Sequence, residues 1–182
     1  MNKHVCPWWL AYTFDNPLRR FLHDPRQLLA AYVRPGMTVA DLGCGLGYFS
    51  IGMAGLVGGD GRVLAVDLQP KMLEKAARRA AAAGVGERIS FLPCRAEHLE
   101  ISEPLDFALA FWMAHETPDV GSFFAQVRAS LKPEGLLLVA EPRLHVTAEA
   151  FAQEIELARA TGLLVRDEPL VRLSRAVVLA RN

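Results

Sequence analysis

The glycine-rich turn between Asp41 and Tyr48 holds the residues best suited to chemistry in this 182-residue chain. An apolar run at 37–40 precedes the turn and an apolar segment at 49–57 follows it, a pattern that predicts a strand, a tight turn and a helix. Glycines let a ligand approach the backbone closely, and the first N–H groups of the helix face the same space. The turn is therefore expected to bind a nucleotide-type cofactor.

The spacing of the glycines argues against a dinucleotide. Glycines stand at 43, 45 and 47, whereas the dinucleotide pattern G-x-G-x-x-G needs its third glycine at the position of Tyr48. In addition, the carboxylate of Asp41 would repel a pyrophosphate and attract a cation or an ammonium group. A nicotinamide-dependent oxidoreductase is therefore a disfavoured alternative.

A second carboxylate follows the next apolar run, at 62–67. Asp67 ends this run twenty residues after Gly47, where folds of this type place the acid that accepts from ribose hydroxyls. A ligand with a ribose, a cation and an amino group is S-adenosylmethionine, which we therefore predict as the cofactor.

Three segments together resemble a known family. The stretches 39–48, 66–67 and 131–136, in this order and spacing, are similar to the class I S-adenosylmethionine-dependent methyltransferases, and the resemblance runs from about Pro35 to the C-terminus. The stretches 4–9 and 15–20 resemble a small branch of that family and name no substrate. The resemblance implies a Rossmann-like α/β fold with a doubly wound, mostly parallel seven-stranded sheet whose last strand is antiparallel.

The resemblance also implies where the cofactor lies. It assigns the amino group to Asp41, the aminoacyl part to the glycine turn and the ribose to Asp67. Arg95 stands where family members often carry an acid that accepts from the adenine, so Ala96 or Glu97 is expected to replace that contact. The full expected cofactor set is Asp41, Gly43, Cys44, Gly45, Gly47, Asp67, Leu68, Met72, Ala96, Glu97, Phe111 and Trp112.

His115 and Glu141 are the expected catalytic residues, because they follow the fourth and fifth strands at the substrate side. Methyl transfer from a sulfonium needs mainly alignment, and a general base only when the nucleophile arrives protonated. His115 has an ionisation near neutral pH and suits that role. The alternatives are that His115 only bonds its own loop and that Glu141 pairs with a neighbour such as Arg143.

The three cysteines, Cys6, Cys44 and Cys94, suggest an alternative function, that of a cysteine-dependent metalloid or thiol methyltransferase. Three thiolates bind soft metals or metalloids, as in cysteine-dependent arsenite methyltransferases. No C-x-x-C pair supports this reading, and cysteine also packs as a small apolar residue. We therefore expect no metal site.

Composition limits the partners. Twenty Lys and Arg balance twenty Asp and Glu, so a strong electrostatic grip on nucleic acid is not expected. No membrane span or signal segment is visible, and the cysteines indicate free thiols, so a cytoplasmic enzyme is predicted. The expected partner is a small-molecule methyl acceptor, the expected assembly is a monomer or a homodimer, and a non-catalytic cofactor-binding module is a further alternative.

The chain is long enough for one domain, 1–182. Within it, 35–182 is the expected cofactor-binding core and 1–34 a helical lid whose residues 1–16, rich in aromatics such as Trp8 and Trp9, cover the sheet edge. Helices are predicted at 17–22, 25–33, 49–57, 71–83, 119–131 and 147–160. Strands are predicted at 37–42, 62–67, 88–93, 105–111 and 135–140, before a closing hairpin of 163–171 and 176–180.

Overall fold

The computed structural model of the chain describes residues 22–181. Strands and helices alternate along it. The helices are α1 (Pro25–Leu29), α2 (Tyr48–Val57), α3 (Pro70–Ala82), α4 (Val120–Ser130) and α5 (Ala148–Ala160). The strands are β1 (Thr38–Leu42), β2 (Arg62–Asp67), β3 (Ile89–Pro93), β4 (Leu105–Phe111), β5 (Leu131–Pro142), β6 (Leu163–Asp167) and β7 (Ser174–Arg181). Short 3₁₀ turns lie at Gly86–Arg88 and Ala114–Glu116.

The seven strands form one sheet in the order β3-β2-β1-β4-β5-β7-β6. The first five are parallel, and β7 runs antiparallel to both β5 and β6. The order reverses between β1 and β4, and the carboxyl ends of these strands share one edge of the sheet. This is the doubly wound arrangement that the sequence predicted, and ligands bind at such an edge.

Alternation along the strands divides the core into two layers. In β1, Val39 packs on one face and Ala40 on the other, and β2 repeats the pattern with Val63 and Leu64. The first layer is filled by side chains of α1, α2 and α3, including Leu29, Met53 and Leu73. The second layer is filled by side chains of α4 and α5, including Phe124, Val127 and Ile155. Both faces of the sheet are therefore buried, as parallel strands require.

Several predicted boundaries were wrong. The strand expected at 163–171 ends at Asp167, and the strand expected at 176–180 begins at Ser174. The helix expected at 25–33 ends at Leu29 and continues only as a turn, in which the backbone N–H groups of Tyr32 and Val33 both donate to the Leu29 carbonyl. The strand expected at 135–140 begins at Leu131, which pairs with Leu105 on β4. The next pair joins Phe107 to Leu136, so the intervening residues form a bulge within the strand.

The aromatic lid predicted at 1–16 and the helix predicted at 17–22 lie, apart from Leu22, outside the described residues. In the described part of the N-terminal segment, Leu29 and Val33 are buried in the first core layer. Among the helices of the described residues, none has the length and apolar character needed to cross a membrane.

Candidate functional site

The glycine turn connects β1 to α2 and forms the floor of the site. Gly45 has a φ of +53°, and a Cβ at this position would meet nothing within 4 Å. Gly47 caps α2 in the left-handed region with a φ of +75°, and a Cβ there would lie 2.9 Å from the Cβ of Ala76 on α3. Gly45 therefore leaves open space above the turn, whereas Gly47 allows α3 to pack closely beneath it.

These two glycines give a matched pair of predictions. Gly47→Ala adds a clash to left-handed strain, so we expect a loss of roughly 2–4 kcal/mol of folding stability. Gly45→Ala adds the strain alone, about 1–2 kcal/mol, but places a methyl group where a cofactor would lie. Thermal unfolding and calorimetry with S-adenosylmethionine separate the two effects. Equal stability losses in the two variants, or unchanged affinity of Gly45→Ala for S-adenosylmethionine, would contradict these separate roles of Gly47 in packing and Gly45 in cofactor binding.

Asp67, at the end of β2, holds the glycine turn in place. Its Oδ2 accepts from the backbone N–H of Gly45 at 2.8 Å, and its Oδ1 accepts from that of Gln69 at 2.8 Å. The side chain is 8% exposed. Burial raises the pKa of this carboxyl, while the two backbone hydrogen bonds act in the opposite direction. Each carboxylate oxygen can accept a further bond, so Asp67 can still receive hydroxyl donors.

Asp41, near the end of β1, is almost completely buried. Its Oδ2 accepts from the hydroxyl of Ser50 in the first turn of α2, at 2.5 Å. This bond fixes the start of α2 against β1, directly below the glycine turn. The expected contact of Asp41 with a cofactor amino group stays a prediction.

The expected adenine side of the site lies between β2 and the turn after β3. Leu68 is exposed and Met72 is buried on α3. Ala96 is partly buried and Glu97 is exposed in a turn closed by backbone bonds between Arg95 and His98. The guanidinium of Arg95 donates to the Glu100 carboxylate, so the residue that replaces the family's acid is engaged on the surface.

Phe111 and Trp112 form the wall of the site at the end of β4. Phe111 is buried, and Trp112 has a φ of +60°, a strained conformation for a bulky residue that is typical of functional sites. Its indole Nε1 donates to the Ser174 hydroxyl at 2.8 Å. The ring of His23 packs edge-on against both aromatic rings, and its Nε2 donates to the Arg172 carbonyl at 2.7 Å.

His115 and Glu141 form a close pair at the same edge. The Nδ1 of His115 lies 2.5 Å from the Oε2 of Glu141. Oε1 of the same carboxylate accepts from the backbone N–H of Ala114 at 2.8 Å. Glu141 is fully buried, and the ring of His115 is partly exposed. The register between Phe111 and Ala140 brings this pair together, and Arg143 instead donates to the Ser174 carbonyl.

The surroundings of His115 favour its charged form. Desolvation lowers the pKa of its imidazole, but the hydrogen bond and charge of Glu141, with the charges of Glu116 and Glu154, raise the pKa above its usual value overall. Because Nδ1 donates to Glu141, Nε2 is the nitrogen that can accept a proton.

The two thiols of the described region, Cys44 and Cys94, both have raised pKa values. Cys44 packs in the first core layer, and burial raises the pKa of its thiol well above the usual range. Burial also raises the pKa of Cys94 to about 11. Both groups therefore disfavour the thiolate form that binds metal. Among residues 22–181, no group of three or more His, Cys, Asp or Glu side chains is arranged to hold a metal ion, and Cys6 lies outside that range.

Sequence reasoning missed four residues that build this edge, namely His23, Ser50, Glu154 and Ser174. Only Glu154 could have been noticed in the sequence, because it is a charged residue beside Ile155 on the side of α5 that carries the apolar residues Phe151 and Ala158. The other three become informative only through their partners.

The fold and the site together define a class of protein. A doubly wound sheet of order 3-2-1-4-5-7-6 carries a G-x-G-x-G turn after β1 and an acid at the end of β2. The open space above Gly45, with Asp67 bonded to that glycine, fits a cofactor with a ribose. This combination is that of a Rossmann-like domain for S-adenosylmethionine.

Comparison with known proteins identifies the family. Residues 34–165 match the family model described as a methyltransferase domain. The chain therefore belongs to this family, and its resemblance to class I S-adenosylmethionine-dependent methyltransferases is confirmed.

The relatives differ in the acceptors that their names imply. The chain is 28% identical over 136 residues to a ubiquinone biosynthesis O-methyltransferase of Rhodopseudomonas palustris, covering 75% of the chain and 51% of that protein. It is 30% identical over 112 residues to an arsenite methyltransferase of Halobacterium salinarum, covering 61% of the chain and 28% of that protein. The chain thus spans about half or less of these relatives.

A solved structure of a SAM-dependent methyltransferase from Aquifex aeolicus superposes with a TM-score of 0.86 at 22% identity. The match covers 98% of this chain and 100% of the other. At this identity the likeness establishes the fold alone.

Proposed function

We propose that this domain transfers the methyl group of S-adenosylmethionine to a small molecule whose nucleophile arrives protonated, an O–H or S–H group. The His115–Glu141 pair is the observation that carries the proposal, because it supplies a base where an acceptor would lie. An amine that is already neutral would need no such base.

The glycine turn packs against the segment that carries the proposed base. A Cβ on Gly43 would lie 2.9 Å from the Cβ of Met113, so the residues after β4 pack directly against the turn. Met113 precedes the 3₁₀ turn Ala114–Glu116 that carries His115. This contact supports a fixed spacing between the proposed base and the glycine turn, which would favour alignment of an acceptor behind the transferred methyl group.

Each residue of the pair has a distinct role in this proposal. When bound, S-adenosylmethionine supplies an activated methyl group on a sulfonium. His115 removes the acceptor proton at Nε2 as the nucleophile attacks. Glu141, which bonds the backbone of the same turn, orients the imidazole through Nδ1 and stabilises its charged form. Glu141 thus acts through His115.

Asp67 and Asp41 would hold the cofactor. We assign the ribose hydroxyls to Asp67 and the amino group to Asp41, with the glycine turn beneath the aminoacyl part. Leu68, Met72, Ala96 and Glu97 border the adenine side, and Phe111 and Trp112 form the wall towards the acceptor.

We place this reaction in a reducing compartment such as the cytosol, since Cys44 and Cys94 are both free. The balanced charge of the chain favours a small acceptor over a nucleic acid.

Calorimetry with S-adenosylmethionine, S-adenosylhomocysteine and NAD tests the cofactor. We expect the first two to bind at least about tenfold more tightly than NAD, a difference of about 1.4 kcal/mol or more. Transfer of a labelled methyl group to panels of phenols, thiols and amines then tests the acceptor. Tighter binding of NAD would overturn the proposal, and a preference for amines would remove the need for a base.

A further inference from the structure

The strongest unexplained group outside the proposed catalytic pair is the carboxyl of Glu154. It lies in the second turn of α5, with Ile155 beside it in the core. The residue is only 8% exposed, and within the described part of the chain its Oε2 is buried with no hydrogen-bond partner. A buried carboxylate with an unpaired oxygen is costly, so a purely structural position would favour an apolar residue.

Glu154 lies within electrostatic reach of the catalytic pair. Burial and the charge of Glu141 raise the pKa of Glu154 to about 7, while the charge of His115 acts in the opposite direction. In turn, Glu154 is one of the carboxylates that favour the protonated form of His115. Three ionisable groups from three elements, β5, α5 and the turn after β4, therefore influence one another.

Other charged or titratable groups also lie near His115 and Glu154. Glu116 also favours charged His115, and the ring of His145 lies 6.5 Å from that of His115 between centroids. The charged residues on α4 and β6, which also pack against α5, are Arg128, Arg166 and Asp167; Asp167 accepts from the hydroxyl of Tyr32.

We propose that Glu154 is a positioning residue that shares a proton with the His115–Glu141 pair and so sets the pH range in which His115 acts as a base. The inference rests on the proposed function. With both carboxyls ionised and His115 neutral, the cluster would hold two buried negative charges, so near neutral pH it retains one proton. When that proton resides on Glu154, His115 is free to accept one from the acceptor.

The consequence is a coupled titration. Ionised Glu154 holds a proton on His115, so removing this charge lowers the pH at which His115 loses its proton. In Glu154→Gln, we expect the acid limb of turnover to move to lower pH by about half a unit or more and to follow one ionisation. In the unaltered protein, the same limb should be broader because two groups titrate together.

NMR titration of the His115 ring in the full chain without cofactor tests the coupling independently of activity. The resonance is assigned with His115→Asn. We expect a broad or two-step curve in the unaltered protein, and a single step at lower pH in Glu154→Gln. Glu156→Gln on the same helix is the matched control, because Glu156 is exposed and pairs with Arg159. That variant should leave the His115 curve unchanged.

A second variant, Glu154→Leu, tests the inference if Glu154→Gln does not fold. Glu154→Leu removes the orphan oxygen and extends the apolar face, so it should fold and show the same shift. An unchanged His115 curve in either folded variant overturns the inference. A shifted curve with no change in the pH profile of turnover would keep the coupling and instead overturn the role of His115 as a base.

Discussion

Replacement of Asp67 by alanine is expected to weaken S-adenosylmethionine binding by roughly 10–10²-fold, as measured by calorimetry. A hydrogen bond to a charged group contributes about 1.5–3 kcal/mol, and the ribose would lose its carboxylate acceptor. The backbone N–H of Gly45 would also lose its partner, so the floor of the site would be less ordered. S-adenosylhomocysteine should weaken to a similar extent because it carries the same ribose.

Asp60→Ala provides the control for this prediction. Asp60 is exposed and precedes β2, at the end of the strand opposite Asp67. Its removal should leave both affinities within about twofold, because surface substitutions away from specific contacts have small effects. Unchanged affinity in Asp67→Ala would refute the assignment of this residue to the ribose. An equal loss in both variants would indicate a general effect of charge.

The second large effect is expected at His115. His115→Ala should reduce turnover by about 10²–10⁴-fold, the usual contribution of a general base, while cofactor affinity stays nearly intact. Because the pKa of His115 is raised and the base must be unprotonated, activity of the unaltered protein should fall as the pH drops through that raised pKa. Initial rates across pH, measured at saturating cofactor, give both quantities.

His145→Ala is the matched control, since His145 is exposed and its ring lies close to that of His115. It should retain turnover and the shape of the pH profile. Glu141→Gln should lie between the two, because an amide oxygen can still accept from the backbone of Ala114 but stabilises the imidazolium less. A flat pH profile with normal activity in His115→Ala would show that His115 is not a base and has only a structural role.

Local pattern was sufficient for the floor of the site. The positions of Gly45 and Asp67 follow from a strand, a tight turn and the next strand, all of which depend on residues close in sequence. The parallel sheet was predictable for the same reason, because each strand is a nearly continuous apolar run. The failure at 131–134 came where pairing with β4 decided a boundary that local propensity left open.

The partners across the site were not predictable in the same way. His115 and Glu141 were each expected at the substrate side, but their pairing depends on the register of β4 against β5. The alternative partner Arg143 is nearer in sequence to Glu141 and bonds a different strand. The contribution of Glu154 depends on how α5 crosses the sheet, which no short segment of sequence specifies.

The position of β7 has a consequence for how the protein is made. During synthesis β5 and β6 emerge first, yet within the sheet of residues 22–181 β6 pairs only with β7, which lies between them. Until residues 174–181 leave the ribosome, β6 lacks the strand with which it pairs, and the Trp112 indole lacks its Ser174 partner. The wall of the site is therefore completed after its glycine floor during translation. A nascent chain stalled before β7 would expose two strand edges to chaperones and proteases, so incomplete chains would be removed before they could act.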